Sequence, residues 1–115
     1  MNVEEIRLYC LEKNRVTESF PFDDTTLVFK VLNKMFALVN LKDNHSISLK
    51  CDPDKAIELR EHYTAVLPGY HMNKKLWNTV ILDGSVIDKL IKEWLDDSYA
   101  LVVENLPNKL KEELI

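Results

Sequence analysis

Apolar residues recur with a helical period in two segments of the N-terminal half. In residues 3–13 they stand three or four positions apart behind Asn2, and two acids follow Asn2, where a helix N-terminus favours both features. In residues 52–63, Asp52 takes the cap position and Pro53 the first helical position, which needs no backbone donor. We therefore predict one helix in each segment.

The C-terminal third predicts further helices. Its apolar face is formed by Val86, Leu90, Ile91, Trp94 and Leu95. Ser85 and Asp88 have the spacing of a capping box, so we expect this helix to begin there. We expect a break at residues 96–98, a second helix capped by Asp97, and a short final helix from Pro107.

Between these helices, apolar and polar residues alternate with the period of two that β-strands show. The predicted strands are residues 16–23, 26–32, 35–41, 45–51 and 76–82. The first is expected at a sheet edge because Pro21 cannot donate to a ladder. We expect a two-residue hairpin turn at Asn33-Lys34 and an irregular connection over residues 67–75 that turns at Pro68-Gly69. This order of elements predicts one α+β domain over residues 1–115, with an antiparallel sheet packed on helices.

The expected strand registers place three residues in one row across the sheet face that the helices leave open. A turn at Asn33-Lys34 pairs Lys30 with Ala37. A four-residue loop after residue 41 then pairs Ala37 with Lys50. The predicted row is therefore Lys30, Ala37 and Lys50.

Composition is that of a globular domain and excludes several other classes. The chain of 115 residues is 46% apolar and 30% charged, and no apolar run approaches the ~20 residues of a membrane-spanning helix. Glu4 and Glu5 stand where a signal peptide would be basic, so we expect a cytoplasmic protein without membrane contact. Cys10 and Cys51 lack metal-site spacing, and we expect both to be reduced and buried.

The net charge of −4 is unevenly distributed. Residues 28–80 carry eight basic and five acidic side chains, whereas both flanking segments are acidic. This pattern predicts at most a mild basic patch, because strong polyanion-binding domains have far more basic isoelectric points.

The most unusual stretch is "GYHMNKKLWNT" at residues 69–79, which contains no acid. Lysines suit phosphate oxygens, asparagines suit phosphates or base edges, and aromatic rings stack on exposed bases at about 1–3 kcal/mol per base. If the last strand lies beside the others, Lys30 and Lys50 extend the patch. The candidate nucleic-acid-binding residues are Lys30, Lys50, His71, Asn73, Lys74, Lys75, Trp77 and Asn78.

Each of these residues also has a purely structural interpretation. Trp77 alternates with other strand residues and is equally suited to packing, while Tyr70 and Met72 are suited to closing the end of the core. His71 is able to bond a carbonyl in the turn, and asparagines frequently satisfy backbone groups in loops. The chain contains no catalytic motif and only two glycines, so we expect neither an enzyme nor a cofactor or metal.

Four segments together resemble the MmcQ/YjbR family of small bacterial proteins. They are "FPFD" at 20–23, "SLKCDP" at 48–53, "PGYHMNKKLWNTVILDGS" at 68–85 and "WLDDSYALV" at 94–102. The position before Trp77, often His in such proteins, is Leu76 here, so a role that needs an imidazole there is not carried over.

The resemblance implies a fold similar to bacterial frataxin and DNA binding through a motif of two wings. The family residues that it carries over are Lys50, His71, Met72, Asn73, Lys74, Trp77 and Asn78.

Two hypotheses follow. In the first, the chain is a weak, salt-dependent DNA-binding module that uses the open sheet face and residues 69–78. In the second, the same surface binds a protein or a small ligand. A carboxylate ridge on the first helix and strand is a third and weaker idea.

Overall fold

The computed structural model describes residues 1–42, 45–69 and 72–115, so the predictions for Tyr70 and His71 lie outside the described residues. The elements are α1 (Val3–Leu11), β1 (Val16–Ser19), β2 (Thr26–Val31), β3 (Lys34–Asn40), β4 (Ser46–Lys50), α2 (Pro53–His62), β5 (Val66–Pro68), β6 (Trp77–Ile81), α3 (Asp88–Glu104) and α4 (Asn108–Lys111). A short 3-10 turn, Glu112–Leu114, follows α4. Within the described residues six strands form one antiparallel sheet in the order β1-β2-β3-β4-β6-β5. The predicted α+β architecture is confirmed.

Two helix starts follow the predicted capping chemistry. The Asn2 side chain accepts from the Glu5 amide, and the Glu5 carboxylate accepts from the Asn2 amide, so both donors are satisfied. Asp52 accepts from the amides of the first turn of α2, and Pro53 stands at its first helical position. The predicted starts of α1 and α2 are therefore confirmed.

The C-terminal helix differs from its prediction at both of the expected boundaries. Ser85 bonds to Asp83 instead of capping a helix, and α3 begins after Ile87 without a side-chain cap. The expected break at residues 96–98 is also wrong, since α3 runs unbroken through them. The polar residues there have tertiary partners: the Tyr9 hydroxyl and the Lys13 ammonium of the α1 region both donate to Asp96.

The predicted row of Lys30, Ala37 and Lys50 is wrong. The hairpin turns one residue earlier than expected, because Leu32 and Asn33 both adopt positive φ, 46° and 70°, as a two-residue hairpin turn of this hand requires. Val31 then pairs with Lys34, Lys30 with Met35, and β3 pairs with β4 so that Ala37 lies opposite Leu49. Ala37 therefore faces the core.

A bulge in β3 causes the rest of the shift. Phe29 pairs with Ala37 while Lys30 pairs with Met35, which leaves Phe36 as an extra residue without an opposite number on β2. Two successive side chains, those of Phe36 and Ala37, are completely buried in the core. A strict alternation of inward and outward residues cannot produce this arrangement.

Ser98 of α3 bonds to the backbone at this bulge. Its hydroxyl donates to the Phe36 carbonyl at 2.5 Å and accepts from the Lys50 amide at 2.9 Å. These two backbone groups would be the next ladder partners after the Ala37–Leu49 pair, so the serine replaces a missing strand-to-strand bond. The side chain is fully buried, which makes both bonds independent of solvent.

The core lies between one face of the sheet and the helices. Inward residues of β2, β3, β4 and β6 pack against Ile6 and Cys10 of α1, Leu59 of α2, and Ile91 and Leu95 of α3. The opposite sheet face is free of helices among the described residues. No helix in the described ranges is both long and apolar enough to cross a membrane.

We predict that Ser98→Ala lowers the free energy of unfolding by about 3 kcal/mol, because it leaves a buried carbonyl and a buried amide unsatisfied at about 1–3 kcal/mol each. Urea denaturation followed by circular dichroism measures the change. Ser85→Ala is the control, since Ser85 is exposed, and we expect a change within about 0.5 kcal/mol. A loss below about 0.5 kcal/mol for Ser98→Ala contradicts the bridging role.

Candidate functional site

A groove of about 420 Å³ lies on the helix-free face of the sheet. Its floor is two rows of paired strand residues: Leu38, Ser48 and Thr79 in one row, and Thr26, Asn40 and Ser46 in the next. Met35 extends the floor along β3. Ser46 and Ser48 alternate along β4 with the core residues Ile47 and Leu49, which places both serines on this face.

Two connections form the walls of the groove. Phe22 and Asp23, from the segment between β1 and β2, line one side, and Met72, from the segment before β6, lines another. The Asp23 carboxylate accepts hydrogen bonds from the amides and hydroxyls of Thr25 and Thr26. These bonds lower the pKa of Asp23, and the bond from the Thr25 amide has the largest effect. Asp23 is thus a structural acceptor that holds the first wall in place.

The polar groups on the floor are neutral. Ser48 and Thr79 hydroxyls lie 2.9 Å apart across neighbouring strands, and Asn40 Oδ1 accepts from the Lys42 amide. No lysine or arginine is among the described residues that line the groove. The groove therefore offers hydroxyl and amide groups between apolar side chains of Met, Leu and Phe.

The predicted lysines are divided between two places. Lys30 is half-buried on β2, opposite Met35. Lys50 pairs with Trp77 at the end of β4, and the adjacent turn, held by a bond from the Cys51 amide to the Leu76 carbonyl, presents Lys74 and Lys75 to solvent. Lys50, Lys74 and Lys75 are therefore brought to one end of the sheet, while Lys30 lies two strands away.

Arg60 joins this cationic end, although the sequence pattern did not single it out. Its guanidinium donates to the Lys74 carbonyl at 3.1 Å, which ties α2 to the turn before β6. A cation on a predicted helix gives no sequence signal for such a long-range contact. The cationic cluster, defined as Lys50, Arg60, Lys74 and Lys75, is thus assembled from three elements.

Trp77 and Asn78 are both buried, with exposed fractions of 7% and 3%. The interpretation of Trp77 as a packed aromatic is confirmed, and its ring is not presented to solvent for base stacking. The Asn78 Nδ2 donates to the Ala56 carbonyl on the helix side of the sheet. Asn78 therefore faces away from the lysines with which the sequence grouped it.

Asn73 and Gly69 shape the turn that precedes β6. Asn73 Oδ1 accepts from the Lys75 amide, and its carbonyl accepts from the amides of Leu76 and Trp77, so its interpretation as a loop-satisfying asparagine is confirmed. Gly69 approaches the next strand closely: a Cβ there would lie 2.7 Å from Trp77 Cβ and 2.9 Å from its carbonyl oxygen. Only glycine fits this approach without displacing backbone.

Three acids of the N-terminal segment, Glu4, Glu5 and Glu18, form local contacts. Arg7 pairs with Glu4 and with Glu18, and its guanidinium is 2.7 Å from the Glu18 carboxylate. Glu5 caps α1. Within the described ranges no three His, Cys, Asp or Glu side chains form a group that would hold a metal ion.

Both cysteines are free thiols, as predicted, and Cys10 is buried. The prediction that Cys51 is buried is wrong, because Cys51 is only half-buried. Burial raises the pKa of Cys10 to about 12. Burial, followed by the charge of Asp52, also raises the pKa of the half-buried Cys51. A raised thiol pKa means a smaller thiolate fraction, and the thiolate is the reactive form.

We therefore predict that Cys51 reacts slowly with Ellman's reagent at about pH 8 and that Cys10 reacts only on unfolding, since about one Cys10 side chain in ten thousand is then a thiolate. The absorbance of the released thiolate measures both rates, and the urea-unfolded chain, in which both thiols are ordinary, is the control. Rapid modification of Cys10 in the folded protein would show that its environment is not the buried one described.

Comparison with known proteins places the chain among a group of small bacterial relatives. The YjbR family matches residues 11–101. The chain is 35% identical over 116 residues to the uncharacterized protein YjbR of Escherichia coli K12, covering 100% of this chain and 98% of that protein. It is also 35% identical to the uncharacterized protein YbdF of E. coli O157:H7, covering 92% and 88% of the two chains.

Solved structures show the same fold. The crystal structure of Deinococcus radiodurans protein DR2400, whose domain is described as DUF419, superposes with a TM-score of 0.91 at 45% identity over 98% of this chain and 87% of that one. A crystal structure of a Pseudomonas syringae protein matches with a TM-score of 0.78 at 28% identity, covering 88% of this chain and 98% of that one. Neither description assigns a ligand or an activity.

Proposed function

The chain belongs to the YjbR family, and we propose that it is a non-enzymatic binding module whose sheet-face groove takes a small uncharged ligand. The observation that carries this proposal is the groove itself, which has a volume of about 420 Å³. Pockets that bind small molecules in proteins usually have volumes of about 300–1,000 Å³. The groove is thus large enough for a ligand of that class.

The lining indicates an uncharged ligand. Its polar groups are the hydroxyls of Thr26, Ser46, Ser48 and Thr79 and the amide of Asn40, and the carboxylate of Asp23 is already occupied by two threonines. An anionic ligand would lose hydration on entering the groove without gaining an opposite charge among the described lining residues, and a cationic ligand would have to compete with Thr25 and Thr26 for the Asp23 carboxylate. A neutral molecule with an apolar body and hydrogen-bonding edges meets both kinds of lining group.

Binding rather than catalysis is the better match to these groups. The Ser48 and Thr79 hydroxyls bond to each other, and the Asp23 carboxylate already accepts from two threonines. Such groups are able to position a ligand, but they provide no activated nucleophile or free general base. Met35 and Met72 add flexible, polarizable contacts that adapt to ligand shape. Phe22, which is 64% exposed at the rim, provides apolar area for a ligand to cover.

The methionines provide a direct test of the groove. The chain has three, of which Met35 and Met72 line the groove while the Met1 ammonium contacts Asp88 at the other side of the fold. We predict that uncharged aromatic and heteroaromatic fragments added to protein labelled with methyl-¹³C methionine shift the Met35 and Met72 resonances together and leave Met1 unmoved. The proposal would be contradicted if the fragments shifted all three methionine resonances equally, or if no fragment shifted the Met35 and Met72 resonances.

A groove-filling variant locates the binding. Leu38→Trp puts a large ring on the floor and should weaken fragment binding at least about tenfold, because it occupies the volume that the fragment needs. Ile57→Trp is the matched control, since Ile57 is 50% exposed on α2 and does not line the groove. The thermal unfolding midpoint of both variants shows whether the fold is retained.

Nucleic-acid binding is the second candidate function, and the cationic cluster is the observation in its favour. Lys74 and Lys75 are exposed, and Arg60 and Lys50 lie beside them. With Trp77 and Asn78 buried, the contacts left to this function are with phosphates rather than bases. Affinity from so few cations is weak and falls steeply with salt.

We expect labelled single- and double-stranded DNA, followed by fluorescence anisotropy, to bind more weakly at about 200 mM than at about 50 mM salt if this second function holds. Lys74→Ala with Lys75→Ala should then lower the slope of log affinity against log salt by about 1.8 on duplex DNA. The control removes the same charge from α4 through Lys109→Ala with Lys111→Ala and should leave the slope unchanged. If the protein binds no DNA at the lower salt concentration, the DNA-binding hypothesis is wrong.

A further inference from the structure

A second, smaller cavity lies on the helix side of the sheet, in the cleft between α2 and α3. Its apolar lining is Leu49, Leu59, Val66, Val80 and Trp94, and its other lining residues are Lys50, Cys51, Lys55, Asn78 and Asp97. About 20 Å³ of it is accessible to the centre of a water-sized group, which is more than the 10–15 Å³ that one water needs. The interior therefore has room for one small chemical group.

The Asn78 amide provides an acceptor in this cavity. Its nitrogen donates to the Ala56 carbonyl at 3.2 Å, and that bond fixes the orientation of the amide, because a carbonyl accepts only from the NH₂ side. The oxygen, Oδ1, is buried and has no hydrogen-bond partner among the residues that the structure describes. Buried side-chain oxygens in folded proteins are nearly always bonded, so this atom points to a missing donor.

Two helix residues at the rim of the cavity carry opposite charges. Lys55 is exposed on α2, and Asp97 is exposed on α3. Burial and the neighbouring Glu93 raise the pKa of Asp97, and Lys55 opposes that rise, so the ammonium and the carboxylate sense each other electrostatically. No ion pair joins them in the part of the chain that the structure describes.

We propose that this cavity binds the ammonium end of a small zwitterion of the amino-acid class. The ammonium donates to Asn78 Oδ1 and to the Asp97 carboxylate, and the ligand carboxylate at the rim accepts from Lys55. The limited interior excludes a side chain, so the ligand is short and unbranched, with its two charged groups close together. Asp97 compensates for the ammonium's lost hydration, which a neutral cavity would not do.

This site is independent of the proposed function. The groove lies on the helix-free face of the sheet, whereas Asn78 points to the helices, and Thr79, the next residue, lines the groove. Binding at one site can therefore be measured while the other is empty. The two proposals stand or fall separately.

The test titrates ¹⁵N-labelled protein with glycine and β-alanine at constant ionic strength and neutral pH. We expect both to shift the side-chain amide of Asn78 and the backbone amides of Lys55 and Asp97. N-acetylglycine, which lacks the ammonium, and methylammonium, which lacks the carboxylate, should each bind at least about tenfold more weakly, since each loses one charge-assisted contact.

Variants at the rim separate binding from folding. Asp97→Asn and Lys55→Gln change exposed side chains and should each weaken glycine binding about tenfold without altering the unfolding midpoint. Glu104→Gln and Lys92→Gln are matched controls on α3, since neither lines the cavity, and should leave the affinity unchanged.

Three results would overturn the proposal. The first is no shift of the Asn78 amide by glycine or β-alanine at about 10 mM, a concentration that detects even millimolar affinity. The second is equal binding of the two truncated compounds. The third is an ordered water as the sole occupant, seen by water–protein NOE to Asn78 and undisturbed by either zwitterion.

Discussion

The buried hydroxyl of Ser98 is the contact on which the arrangement of the sheet depends. The bulge at Phe36 lies in the pairing of β2 with β3, and the regular ladder between β3 and β4 ends at the Ala37–Leu49 pair. Beyond that pair a single serine from α3 accepts from the Lys50 amide and donates to the Phe36 carbonyl. Because these bonds reach both strands, α3 is fixed over the middle of the sheet. The bulge in turn points Phe36 and Ala37 inward together, which leaves Met35 and Leu38 on the opposite face, where they line the groove.

The two faces of the sheet consequently differ in chemistry. The helix-free face has a groove with a neutral floor between two connecting segments, and the turn at Asn73, before β6, places the cationic cluster at one end of the sheet instead of on the groove floor. A polyanion and a small neutral molecule would therefore meet different surfaces. Their binding is expected to differ in salt dependence, since phosphate contacts release counterions and contacts with hydroxyl and apolar groups do not.

Local chemistry in the sequence was sufficient to predict the helix caps at Asn2 and Asp52 and the presence of five of the six described strands. The features that it missed depend on partners distant in the chain. A bulge breaks the alternation from which register is inferred, and Leu32 in a left-handed turn conformation has no sequence signal. Asp96 ends no helix because Tyr9 and Lys13 bind it. Strand β5 was missed because it is three residues long and ends in proline.

Residue type alone also misjudged the site, because it does not report burial. Trp77 and Asn78 follow two lysines in sequence, yet both are buried and Asn78 faces the helices. A buried acceptor without a donor costs about 1–3 kcal/mol, whereas the bond from its amide nitrogen to Ala56 contributes about 0.5–1.5 kcal/mol. An empty cavity would therefore leave this asparagine destabilising over most of that range. An aliphatic side chain would avoid the cost, so an amide at this position is best explained by a group that donates to its oxygen.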